Sequence, residues 1–190
     1  MQDYKYANQI SGRAVGALFF AAFGAIWLLL AFYALERLTI TTILGIASVL
    51  LGLVLAATHL MRQARHWPTA PEDPKLNRAF KLINALQYIA IAAVVIGFNA
   101  LHLQPYLMCG IAFVVGLHMF PLAHIFKYTP HHFTGAALVL WAVVSAVVSP
   151  IEHMQGISAL GTGILLWLSS TYTLASTWHG TQYFPNSTSA

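Results

Sequence analysis

The chain has 190 residues, of which 58% are hydrophobic and 7% charged, with a net charge of +4. Soluble domains carry about 25% charged residues, so a water-exposed globule is excluded and the main partner of this chain is the lipid bilayer. One cysteine among 190 residues excludes an intrachain disulfide and a paired-cysteine metal site. The basic excess forms no stripe with interleaved aromatics and reads as membrane topology rather than as a nucleic-acid surface.

A helix needs about 20 apolar residues to cross a ~30 Å hydrocarbon core. In chain order, six stretches meet that requirement: 13–35, 40–61, 80–100, 105–127, 133–150 and 156–177. The first follows Arg13 as the apolar part of a signal peptide would. However, it runs for about 22 residues against the ~7–15 of such a segment, and it reads as a retained helix. Between the second and third spans, Arg62–Arg78 carries Pro68, Pro71 and Pro74 and is the main loop. Pro105 fits the first turn of the fourth span, and Pro150 closes the fifth. The fold class is therefore all-α: one six-helix transmembrane domain over 1–177, followed by a polar tail over 178–190.

Lys5, Arg13, Arg62, Arg65, Lys75, Arg78, Lys81 and Lys127 fall on one side of such a topology, and only Arg37 falls on the other. This asymmetry places both termini and the 62–81 loop in the cytoplasm of a multi-pass inner-membrane protein. Shifting the first hairpin by 65 residues aligns Arg13-Ala14 with Arg78-Ala79, Gly45-Ile46-Ala47 with Gly110-Ile111-Ala112, and His59 with His124. That register gives ten identities in the fifty pairs from position 13 to 62. It predicts an internal repeat, with three similar hairpins around a common axis.

Polar groups inside a membrane are costly and mark candidate sites. Asp3, Glu36, Glu72, Asp73 and Glu152 all fall in tails or loops. That argues against a buried acidic carrier site and against aspartyl proteolysis. Histidine remains. His59 and His124 each stand three residues before a basic residue, about 4–5 Å inside the cytoplasmic boundary, and His118 lies about 13 Å inside. Pro121 is expected to kink this helix and free the Leu117 carbonyl. Asn84, Gln87 and Ser169 lie in the same half of the membrane. Together His59, Asn84, Gln87, His118, His124 and Ser169 predict a polar cavity open toward the cytoplasm, with a neutral His118 held by Asn84, Gln87 or Ser169.

Plainer readings stand beside this one. The hydroxyls of 169–173 can bond their own i−4 carbonyls, and Asn84 and Gln87 can tie neighbouring helices. His59 and His124 can reach headgroups, His118 can be a packing residue, and Cys109 a small apolar one. His66, His131, His132, His153 and His179 read as loop or tail residues. Trp67, Tyr106, Tyr128, Trp178 and Tyr183 fit the interfacial aromatic belt. Gly12, Gly16, Gly45, Gly52, Gly110 and Gly116 read as sites of close helix contact.

The stretch GLHMFPLAHIF (116–126), followed by FTGAALVLWA (133–142), resembles an uncharacterised family of small six-helix bacterial integral membrane proteins. The resemblance covers most of the chain and implies six helices in a bacterial inner membrane. It carries no chemistry, so no residue role is transferred.

Three functions compete on these residues. The first is binding or transport of a small molecule or lipid headgroup through the cavity; six helices are few for a transporter, which implies a homodimer. The second is a non-enzymatic structural or partner-binding protein. The third is a histidine-ligated metal or haem protein, since imidazole suits zinc, copper and iron. The sequence assigns no catalytic residue, metal ligand or cofactor.

Overall fold

A computed structural model describes the backbone of residues 2–65 and 73–182, and the side chains of 9–65 and 73–179. The described residues form six helices: α1 (Gln2–Ala34), α2 (Ile40–Ala64), α3 (Pro74–Ala100), α4 (Leu107–Phe126), α5 (Pro130–Val148) and α6 (Met154–Gln182). A 3₁₀ turn, Gln104–Tyr106, leads into α4. All six are long and apolar enough to cross a membrane. The fold is an all-α membrane bundle.

The helices start and stop where local chemistry allows. At the start of α2 the Thr39 and Thr42 hydroxyls cap each other's backbone N–H groups, at 3.2 and 2.8 Å. Asp73 caps α3 by accepting from the Lys75 N–H at 2.9 Å, with Pro74 in the first turn, where its missing donor costs nothing. The segment read as the main loop is correspondingly shorter than Arg62–Arg78, because helix reaches Ala64 and resumes at Pro74. Pro68, Pro71, His66, Trp67 and Glu72 lie outside the described residues. At the other end of the chain α6 runs on through Gln182, so the tail expected from Trp178 begins later. Tyr183 and the rest of the tail lie outside the described residues.

Two antiparallel helix pairs form the core. Along α1, Ala14, Ala17, Ala21, Ala25 and Ala31 are buried, and α6 packs against this stripe. The two backbones meet at Gly24 and Gly163, where a Cβ on either glycine would press on the other's carbonyl oxygen. The pair α4 and α5 repeats the device with Gly116 and Gly135. Small residues let backbones approach in lipid, where dispersion and polar bonds rather than water exclusion hold helices together.

Polar side chains then fasten the seams. Ser170 donates to the Ala17 carbonyl at 2.8 Å, and Trp167 Nε1 donates to the Ala21 carbonyl at 2.9 Å. Trp141 Nε1 of α5 donates to the Ser158 carbonyl of α6 at 3.0 Å. Both indoles use one geometry. Trp167 lies on Gly24 and Trp141 lies on Gly161, and each donates to the carbonyl three residues before its glycine.

The helices are thus ordered α2–α1–α6–α5–α4–α3, with α6 also touching α4. This differs from three equivalent hairpins around an axis. The helices within each predicted hairpin do pair, but α1 and α4 lie inside the row whereas α2 and α3 form its two edges, and α3 buries no residue. In the 65-residue register, buried Ala14 and Ala25 correspond to the partly exposed Ala79 and Ala90. Gly45 has open space around it, whereas its counterpart Gly110 abuts Val94 and Phe98. Gly12, Gly16 and Gly52 also have no close neighbour, so of the six glycines expected at contacts only Gly110 and Gly116 serve there. The alanine stripe of α1 finds its closest partner in α6, not in α2, and that places the first hairpin differently from the second.

Candidate functional site

The end of the bundle that carries Arg13, Lys75, Arg78, Lys81 and Lys127 is called the basic end below. The six candidate residues all lie toward it but do not converge on one cavity. His59 is exposed on the edge helix α2; its ring stacks on Trp178 of α6 at 5.1 Å and its Nε2 lies 3.0 Å from Gln63 Nε2. Asn84 and Gln87 sit half-buried on the other edge helix, α3, and have no hydrogen-bond partner among the described residues.

His118 is buried in the bundle, as its depth predicts. The ring lies near the Ile83 backbone of α3, one residue from Asn84, and makes no hydrogen bond to the side chain of Asn84, Gln87 or Ser169 among the described residues. Helix α4 continues through Pro121 as far as Phe126. Ser169 donates to the Leu165 carbonyl at 2.9 Å, and its hydroxyl lies 2.9 Å from that of Thr134. Thr171 likewise donates to the Trp167 carbonyl. The plainer reading of the 169–173 hydroxyls therefore holds for these two, whereas Ser170 reaches across to α1.

His124 is different. With Ala123, Lys127, Tyr128, Thr129 and His132 it lines an open pocket of about 340 Å³ at the turn between α4 and α5. The chain makes this pocket locally. Lys127 takes a left-handed conformation (φ 49°) that ends α4, and the Tyr128 N–H returns to the Ala123 carbonyl at 3.1 Å. This six-residue closure with a left-handed residue is the Schellman pattern. Pro130 then starts α5 at once, which brings His132 into the first turn opposite His124. Three side chains on the wall, His124, Lys127 and His132, are basic types, and neither α4 nor α5 contains an acid.

Further basic groups surround this turn. The half-buried Arg13 guanidinium of α1 sits 4.9 Å above the Tyr128 ring, close enough for a cation–π contact. The Tyr128 hydroxyl donates to Thr173 of α6 at 3.4 Å. His131 lies edge-on to Tyr128 at 4.9 Å and to Phe20 at 5.5 Å. Tyr128 therefore joins α1, α5 and α6 at the rim of the pocket.

Lys127, Tyr128 and the His131–His132 pair were not among the candidates. Starting the fifth span at residue 133 left both histidines in a loop. The signal was present in Pro130: proline favours the first helical position, and with α5 beginning there the two histidines belong to its opening turn.

A second groove, of about 560 Å³, runs between α5 and α6 next to this pocket. Ser169 lines it, together with Thr129, Phe133, Ala137, Leu168 and Tyr172 among others. Among the described residues no group of three or more His, Cys, Asp or Glu is placed to hold a metal ion. No protein-family model, no curated protein and no solved structure matches the chain.

Proposed function

We propose that this multi-pass membrane protein binds a small anionic ligand at its basic end, in the pocket at the α4–α5 turn. The observation that carries the reading is the pocket wall: Lys127, His124 and His132 supply positive charge or N–H donors, Tyr128 and Thr129 supply hydroxyls, and no carboxylate competes from either helix. Such a wall suits a phosphate or carboxylate, because charge-assisted hydrogen bonds to an oxyanion are the stronger kind. Among the described side chains Arg13, Arg62, Arg65, Lys75, Arg78, Lys81 and Lys127 lie at this end and only Arg37 at the other, which supports a cytoplasmic orientation for the pocket and for both termini. His118 belongs to the packing of α3 on α4. His59, Asn84 and Gln87 are helix-edge residues, and none of them lines this pocket.

The reading is tested by titrating the full-length protein in detergent with glycerol phosphate. Lys127→Gly removes the charge while suiting the left-handed backbone, so the fold is kept and affinity should fall at least about tenfold. His118→Leu should leave affinity within about twofold. Loss of binding in His118→Leu with none in Lys127→Gly would return the site to the bundle interior.

The second reading, a structural or partner-binding protein, is favoured by one observation. Most hydroxyls and indoles inside the spans are engaged with helix carbonyls, as Ser170, Trp141 and Trp167 show. Under the transport reading two copies would assemble, and a dimer mass in native mass spectrometry would support it.

A further inference from the structure

We infer that the ligand of the α4–α5 pocket is an anionic phospholipid, its phosphate held by the basic wall and one acyl chain lying in the groove between α5 and α6. This deepens the proposed anion site and rests on it. The two concavities adjoin: Thr129 lines both, and the Tyr128 hydroxyl on the pocket side donates to Thr173 on the groove side. Their chemistries are complementary halves of an amphiphile. The pocket is basic, whereas the groove is mainly apolar. Its Thr134 and Ser169 hydroxyls are turned back on their own helices, to the Pro130 and Leu165 carbonyls.

The groove also faces the right way. Phe133, Leu168 and Tyr172 on its rim are 73%, 61% and 59% exposed, so it opens on the outer surface of the bundle, where lipid lies. From Thr173 to Leu165 it extends about 12 Å along α6, within the ~15 Å that makes up half of the hydrocarbon core. The order of the two parts matches a lipid in the leaflet: charge at the helix ends, apolar lining deeper. Basic pockets between transmembrane helices at the cytoplasmic side are a general way of holding anionic headgroups.

Native mass spectrometry of the full chain in detergent tests this, with dioleoyl phosphatidylglycerol, dioleoyl phosphatidylcholine and soluble glycerol phosphate as probes. Phosphatidylglycerol should bind at least about tenfold more tightly than phosphatidylcholine, and Lys127→Gly should remove most of that difference. Ala137→Phe, which fills the groove, should weaken phosphatidylglycerol about fivefold or more and leave glycerol phosphate unchanged; thermal unfolding of each variant confirms that it folds. If glycerol phosphate responds to Lys127→Gly but Ala137→Phe changes nothing for the lipid, the pocket takes free anions and the lipid inference is overturned. If neither anionic probe responds to Lys127→Gly, the anion site itself falls, and the lipid with it. Equal binding of the two lipids overturns the lipid inference as well.

Discussion

Glu36, His102 and Lys127 hold left-handed backbone, with φ of 56°, 57° and 49°, at the ends of α1, α3 and α4. At each, an N–H five residues on reaches back to a helix carbonyl: Arg37 to Phe32, Leu103 to Phe98 and Tyr128 to Ala123. Glycine takes this conformation without the Cβ clash that other residues meet, a cost of about 1 kcal/mol or more. His102 makes no contact that the proposed site needs. His102→Gly should therefore raise stability by up to about 1 kcal/mol, read as a shift in the midpoint of detergent-induced unfolding; an unchanged or lowered midpoint would show that the side chain contributes more than the backbone strain. At this scale the sequence was legible in part. The depth of His118 and the absence of acids around it placed its ring inside the bundle correctly. The backbone it packs against was not legible, because a contact with the main chain of another helix has no sequence signature.

Helix existence was legible and helix partnership was not. Runs of about 20 apolar residues have few alternatives to a spanning helix, so all six elements appear where composition puts them. Their ends run further at α1, α2, α3 and α6, and at the start of α5, because a helix can continue past the hydrocarbon region into the headgroup layer. Which helices touch depends on the angular position of small residues, and every span here contains some. Gly24 and Gly163 sit at a helix crossing, whereas Gly45 faces open space. Gly163→Ala should destabilise the bundle by about 1–3 kcal/mol, since the added methyl would meet the Leu28 side chain and the Gly24 carbonyl. Gly45→Ala should be neutral or stabilising by up to about 1 kcal/mol from helix propensity alone. Detergent unfolding of the two variants separates them, and equal destabilisation would show that Gly45 is also at a contact, as a true repeat of Gly110 would require.

For the whole molecule, the basic end and the opposite end carry different work. Arg13, Tyr128, His131 and the pocket residues gather at the first; at the second, Gln155 Nε2 donates to the Gln104 carbonyl at 2.9 Å and ties the start of α6 to the turn before α4. The function argued for the α4–α5 turn depends on which compartment that turn faces, so orientation is the claim on which the rest stands. Alkaline phosphatase, active only outside the cytoplasm, measures it directly when fused after Gln104, after Glu152 and after Thr69 in a bacterial host. Active enzyme is expected at Gln104 and Glu152, and inactive enzyme at Thr69. Activity at Thr69 with silence at the other two would invert the topology and move the basic pocket to the external face.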